Sequence, residues 1–244
     1  MSQYFNNDRT IKNDIKKYNV NFKEQSFSFS TNAGVFGKEK LDYGTRFLLE
    51  TLCDNTSLHG DILDLGCGYG PVGVILGRFY KSANIDMIDV NERALDLSKI
   101  NLKNNNVLNA NVWSSNIYEN VDKEYNYIIT NPPIRAGKEI VKKFLIGAKN
   151  HLLADGELWF VMRKDHGVKT MINILEEDYS IRIVDKSKGF FVIQAKPLIK
   201  NWENIENDVD FLIFVCYHYI LVTRLLGLAL LFENCVRGER KNGL

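Results

Sequence analysis

The 244-residue chain has almost no charge excess: 31 Lys and Arg stand against 30 Asp and Glu, for a net charge of +1. Attachment to nucleic acid by bulk charge alone is therefore excluded. Four of the basic and six of the acidic residues follow residue 200, leaving a basic excess of three in the first 200, a slight lean toward an anionic partner such as RNA. Cysteine is scarce and never closely paired: Cys53, Cys67, Cys216 and Cys235 contain no C-x-x-C spacing. Neither a disulfide framework nor a redox pair is expected, and the chain reads as reduced and cytoplasmic. His59, His151, His166 and His218 never fall at metal-ligand spacing, so no metal is expected. The first residues lack the apolar stretch of a signal peptide, and no internal repeat is present.

What the chain does have is an alternation of short apolar runs and longer helical patterns beginning at Asp61, in the order of β-α-β units on a mostly parallel sheet. Strands are expected over 61–65, 84–89, 110–113, 125–130, 157–162, 181–185 and 190–195. Helices are expected over 72–80, 92–103, 138–150 and 168–176. The last two strands are joined by a Lys-Ser-Lys-Gly turn, too short for a parallel crossover, which predicts an antiparallel hairpin at the sheet edge. Upstream, 41–52 carries apolar residues at helical spacing and 26–30 alternates Ser and Phe like a short strand. Residues 1–25 show poor periodicity. The chain divides into an N-terminal extension over 1–40, one α/β domain over 41–200 and a tail over 201–244.

The run Ile62-Leu63-Asp64-Leu65-Gly66-Cys67-Gly68-Tyr69-Gly70-Pro71 is a buried strand entering a glycine-rich turn, with Pro71 suited to the first turn of a helix. Three glycines let the backbone approach a ligand closely. Asp89, ending the following strand, can accept hydrogen bonds from ribose hydroxyls. Together they indicate a nucleoside-containing cofactor. The literal G-x-G-x-x-G of Gly68, Gly70 and Gly73 also fits a nicotinamide dinucleotide. The acid-then-glycine pattern of Asp64 to Gly70, however, resembles the first motif of class I S-adenosylmethionine methyltransferases.

A second motif, Asn131-Pro132-Pro133-Ile134, follows the strand over 125–130 at the carboxyl edge where open α/β sheets bind ligands. Two prolines fix φ and remove two N–H donors, so the chain offers the Asn131 side-chain oxygen and the Pro132 carbonyl as rigid acceptors. A planar NH₂ group donating to both could turn its lone pair toward an electrophilic methyl, a gain of orientation and placed dipoles needing no strong base. Asn131, Pro132, Pro133 and Ile134 are the expected catalytic residues.

These motifs, with Phe29-Ser30-Thr31-Asn32-Ala33-Gly34-Val35-Phe36-Gly37 and Leu41-Asp42-Tyr43-Gly44-Thr45, resemble the small-subunit ribosomal RNA guanine-N2 methyltransferase family over roughly residues 15–196. The resemblance implies a Rossmann-like seven-stranded sheet with an antiparallel last strand and S-adenosylmethionine as cofactor. It implies that Gly66, Gly68 and Gly70 line the donor's methionine half, with Asp64 and Cys67 of the same turn. Asp89, next to Val90, would hold the ribose, and Ser115-Asn116 would contact adenine. Phe36 and the segment from Asp42 to Thr45 would close over the donor. Ribosomal RNA, or the small subunit, is the implied partner. Many relatives place an aromatic residue after Asn-Pro-Pro, and Ile134 replaces that stack with apolar contact alone. Lys12, Lys16, Lys17, Lys23, Lys38, Arg135 and Lys138 are expected phosphate contacts near the entrance.

Other readings stay open: a protein glutamine-N5 or nucleic-acid adenine-N6 methyltransferase, or a nucleotide-binding assembly factor without catalysis. The tail contains a 22-residue apolar run over 211–232, long enough to span a bilayer, with Arg224 inside it. It reads as a membrane anchor, as a helix packed on the domain or a partner, or as sequence outside the native frame.

Overall fold

The computed structural model describes residues 15–32 and 40–198. The elements run β1 (Ile15–Phe22), β2 (Gln25–Asn32), α1 (Tyr43–Asn55), β3 (Asp61–Leu65), α2 (Pro71–Phe79), β4 (Asn84–Asp89), α3 (Glu92–Asn104), β5 (Ala110–Ser114), β6 (Tyr125–Thr130), α4 (Lys138–Gly147), β7 (Leu152–Arg163), α5 (Val168–Leu175), β8 (Tyr179–Ser187) and β9 (Phe190–Pro197). Seven strands form one sheet in the order β5-β4-β3-β6-β7-β9-β8. Pairs from β5 through β7 are parallel, and β9 is antiparallel to both neighbours. The expected mostly parallel sheet with a reversed last strand is the observed one.

Apolar side chains from both faces of the sheet build two cores. One holds Leu48, Leu52, Ile75, Leu95 and Trp159 with Phe22, Phe27 and Phe29 of the β1–β2 hairpin; the other holds Leu63, Ile128, Phe144, Phe160 and Leu175. Strands with helices on both faces read as near-continuous apolar runs, as Ile62-Leu63 and Ile128-Ile129 do. The strand order turns back between β3 and β6, which sets the ligand crevice at their carboxyl ends.

The structure corrects several boundaries. Residues 15–22, expected in an aperiodic extension, form β1, whose Tyr18, Val20 and Phe22 alternate toward the core. The helix expected over 41–52 begins at Tyr43, because Asp42 caps it by accepting from Gly44 N at 2.9 Å, and runs to Asn55. The helix expected over 138–150 stops at Gly147 and tightens into a 3₁₀ turn over Ala148–His151. Strand β7 begins at Leu152, five residues before the expected start. Phe36, Lys12, Lys38 and the whole tail over 201–244 lie outside the described residues.

The hairpin is held by side chains. Asn105 Oδ1 accepts from Ser28 N at 2.9 Å while its Nδ2 donates to Ser28 O at 2.8 Å. Asn101 does the same to Ser30, at 2.6 and 2.9 Å. Four helical residues rise about 6 Å and two strand residues about 6.7 Å, so side-chain amides one turn apart on α3 match alternate residues of β2. They satisfy the strand edge that β1 leaves open.

Candidate active site

Register places the motif residues side by side along the carboxyl edge. Asp89 pairs with Ser114, Leu65 with Ile88, and Asp64 with Ile129. Thr130 Oγ1 donates to Leu65 O at 2.8 Å, tying β6 to β3. Continuing that register by two residues sets Asn131 beside Gly66. Ser115, Asp89, Gly66 and Asn131 thus stand at the ends of four adjacent strands, a row of about 14 Å at the usual strand spacing.

Beneath most of this row lies a small open cleft lined by Leu65, Gly66, Ile88, Asp89, Val90, Ser115, Asn116, Ile117, Ile140 and Phe144. Its walls are apolar and its rim carries a carboxylate, a hydroxyl and an amide, the composition of a nucleoside site. Ser115 Oγ donates to Ile117 O at 2.9 Å and accepts from Asn120 N at 3.1 Å. That turn holds Ile117 at φ 59°, an outlier for a β-branched residue and a strained contact at the cleft wall.

The turn from Gly66 to Gly70 already employs most of its donors. Gly66 N and Cys67 N both donate to Ile88 O at 2.9 Å. Gly68 N donates to Asp89 Oδ2 and Asn91 N to Asp89 Oδ1, each at 2.9 Å. Gly73 N, in the first turn of α2, donates to Asp64 Oδ2 at 2.9 Å. A pyrophosphate would need these N–H groups and would face the Asp89 carboxylate at the cleft. The alternative of a nicotinamide dinucleotide is disfavoured on that ground, whereas a cationic sulfonium suits the acid. Burial pushes Asp64 up to about 7, against the Gly73 N–H and with Asp89's charge adding to the rise. Burial likewise raises Asp89, against its bonds to the Asn91, Gly68 and Val90 N–H groups. Asp89 still has lone pairs for ribose hydroxyls, since a carboxylate offers about four acceptor positions.

Two glycines show different requirements. At Gly68, with φ 57°, an added Cβ would meet nothing within 4 Å, so backbone conformation and open space are what the position supplies. At Gly73 a Cβ would lie 2.5 Å from Met87 Sδ, so that position lets α2 close on β4.

Asn131 is held from α1. Its Nδ2 donates to Thr45 Oγ1 at 3.0 Å and lies 3.5 Å from Asp42 Oδ2. Thr45 Oγ1 in turn donates to Asp42 Oδ2. An ionised carboxylate only accepts, so it sets the direction of the whole chain: Thr45 gives its proton to Asp42, Asn131 gives an amide hydrogen to Thr45, and Asn131 Oδ1 is left facing away as an acceptor. The next turn closes on the Pro133 and Ile134 carbonyls, which accept from Ala136 N and Gly137 N at 2.9 and 3.2 Å, leaving Pro132 O outside those bonds.

A family model described as the methyltransferase small domain matches residues 26–194. The chain belongs to that family. It is an S-adenosylmethionine-dependent methyltransferase of class I, and the donor site just described fits that cofactor. This methyltransferase is 38% identical over 198 residues to the uncharacterized protein YbxB of Bacillus subtilis (strain 168), covering 80% of this chain and 98% of that one. Ribosomal RNA small subunit methyltransferase C of Buchnera aphidicola subsp. Schizaphis graminum (strain Sg) is 39% identical over 132 residues, 52% of this chain and 38% of the relative. A solved structure of the T. Thermophilus 16S rRNA N2 G1207 methyltransferase, in complex with AdoMet and guanosine, shares the fold with a TM-score of 0.68 at 21% identity, covering 75% of this chain and 51% of that one. The chain thus spans about half or less of each of these two ribosomal RNA methyltransferases.

Of the cofactor residues expected from sequence, Gly66, Asp89, Val90, Ser115 and Asn116 line the cleft. Asp64 and Cys67 do not; both are buried beneath the turn, Asp64 on Gly73 and Cys67 within 3.8 Å of Ser98 Oγ. Gly70, at φ 91°, turns the chain into α2 against Met87 and Ser98. Thr45 is 5% exposed and serves Asn131. Sequence reasoning missed Asp42 as the anchor of Asn131, and Ile117 in the cleft wall. Asp42 had a signal, an acid three positions ahead of Thr45 near the start of a helical pattern, but the pattern taken from Leu41 placed it inside the helix, and the same signal describes any helix cap. Among the expected phosphate contacts, Arg135 and Lys138 are exposed beside the Asn-Pro-Pro step, while Lys23 is paired with Asp54 at 2.5 Å on the hairpin turn.

Proposed function

We propose that this methyltransferase modifies an exocyclic base amine, guanine N2 of small-subunit ribosomal RNA, with Asn131 and Pro132 as the amine's acceptors. The observation that carries the reading is the oriented chain Asp42–Thr45–Asn131, which holds Asn131 by its Nδ2 and leaves Oδ1 as the free acceptor, on a residue that the β3–β6 register sets beside the cleft-lining Gly66. When bound, S-adenosylmethionine supplies an electrophilic methyl group. Asn131 Oδ1 and Pro132 O each accept one amine hydrogen, which turns the nitrogen lone pair out of the base plane. As the N–C bond forms and the S–C bond breaks, positive charge grows on nitrogen next to two fixed dipoles, and a proton then leaves to solvent. Guanine, and ribosomal RNA as partner, are supported by the likeness to methyltransferase C over half of this chain. Ile134, partly buried against the second core, offers apolar contact in place of the ring that adenine-N6 and glutamine-N5 enzymes present there.

Asn131→Ala separates catalysis from binding. We expect S-adenosylhomocysteine to bind as in wild type while methyl transfer to small-subunit RNA falls about a hundredfold or more. Mass spectrometry of the labelled RNA should find the methyl on guanine N2. Label appearing in protein or on adenine instead would overturn the substrate assignment, and undiminished transfer by the variant would overturn the role of Asn131.

A further inference from the structure

The carboxyl edge that carries the cofactor row continues past Asn131 into a second, basic half. Strand β7 ends at Arg163, β9 begins at Phe190 and β8 ends at Ser187, and these three are in register. Lys164, Lys186 and Lys188 sit on or beside these ends, all exposed. None of the three makes an ion pair with a described carboxylate, whereas Arg163 is committed to Asp165 at 2.9 Å.

Three of the cations at this edge lie over aromatic rings, Lys188 and Arg163 on one face of the sheet and Lys186 on the other. Lys188 Nζ is 4.8 Å from the centroid of Tyr43, Lys186 Nζ 5.2 Å from Phe191, and Arg163 Cζ 5.4 Å from Phe190. Tyr43 and Phe190 are themselves 5.3 Å apart, and Tyr43 OH donates to Ser187 Oγ at 2.8 Å. This cluster is latched to the reacting end of the site, because Tyr43 directly follows Asp42 and a Cβ on Gly44 would come within 2.9 Å of Phe190. The strands β7, β9 and β8 follow β6 in the sheet, so the outermost is three spacings, about 14 Å, from Asn131. A few nucleotides cover that distance.

We propose that this edge of β7, β9 and β8 holds the sugar-phosphate backbone of a single-stranded RNA segment flanking the target base, with Lys164, Lys186 and Lys188 as its phosphate contacts and Tyr43 and Phe190 as half-buried rings beneath it. Lysines without carboxylate partners, seated over half-buried rings that fix their position, are the chemistry of a backbone track: the charge follows the phosphates whatever the bases. It explains how a chain with so small a net charge could grip RNA, by concentrating cations on one side of the reacting amine. The inference rests on the functional reading above only for the identity of the base.

The test compares wild type with Lys164→Gln/Lys186→Gln/Lys188→Gln, using small-subunit ribosomal RNA and a single-stranded oligoribonucleotide, by fluorescence anisotropy from low to moderate salt. Three lost contacts should lower the slope of log affinity against log salt by roughly two and weaken binding at low salt at least tenfold. KM for RNA should rise while kcat, the Kd for S-adenosylhomocysteine and the melting temperature hold. An unchanged salt slope overturns the proposal, as does a loss confined to an acidic protein partner. If wild type transfers no methyl to RNA, the substrate reading fails, yet the anisotropy comparison still decides this one.

Discussion

A side-chain amide can be turned end for end at little cost in shape, so an asparagine acts as a reliable acceptor only if something fixes its NH₂. Here that is the pair Thr45 and Asp42. Asp42→Asn keeps a good helix cap, since asparagine and aspartate cap about equally. It removes the acceptor-only end of the chain, however, and lets Asn131 present its NH₂ to the substrate. We expect kcat to drop about a hundredfold, the cost of a misplaced catalytic contact, with donor affinity and melting temperature unchanged. A wild-type kcat in this variant would remove Asp42 from the mechanism. Asn131 was legible from sequence because its Asn-Pro-Pro step ends a strand two units after the glycine-rich cofactor turn; two prolines alone would only have marked a strand end. Asp42 was not, because its partner lies 89 positions away and only the packing of α1 on the face of the sheet brings them together. Asp64 and Cys67 were assigned to the ligand because the motif contains them, but burial turned both beneath the turn.

At the scale of elements, apolar alternation sufficed for the strands of the sheet, and the short Lys-Ser-Lys-Gly turn sufficed for the reversal of β9. Strand β1 escaped notice because Lys16, Lys17, Asn19 and Asn21 dominate it and only Tyr18, Val20 and Phe22 turn inward. What fixes it is not local: Asn101 and Asn105 reach from α3 to the main chain of β2. Replacing Asn105 by Leu removes bonds to Ser28 N, Ser28 O and Asn101 O while keeping the branched shape of the side chain. Leaving the Ser28 N–H and carbonyl without these partners should cost at least about 2 kcal/mol. Urea denaturation would measure it, and hydrogen exchange should show the Ser28 amide losing protection. Because Asn101 Nδ2 also donates to Tyr69 O at 2.8 Å, and Tyr69 OH meets Tyr18 OH at 2.6 Å, the same ladder steadies the glycine-rich turn.

For the molecule as a whole, the α/β class followed from the order of patterns, and the apolar run over 211–232 lies outside the described residues. The buried acids make global stability depend on pH. Asp64 moves from 3.8 to about 7 on folding, so between these values the native state binds more protons than the unfolded one. Stability then falls as pH rises from about 3.8 to about 7 and levels beyond it. Asp64→Asn retains an acceptor for Gly73 N and should flatten this dependence, becoming more stable relative to wild type as pH rises; parallel pH profiles for the two proteins would refute it. The asparagine ladder also bears on behaviour at high concentration. A hairpin with an open edge is a template on which a second copy can add its own strand, the usual beginning of edge-to-edge aggregation. Here one edge is closed by two helix side chains and the other carries Lys16 and Lys17, so whether the protein stays dispersed depends in part on residues that touch neither donor nor substrate.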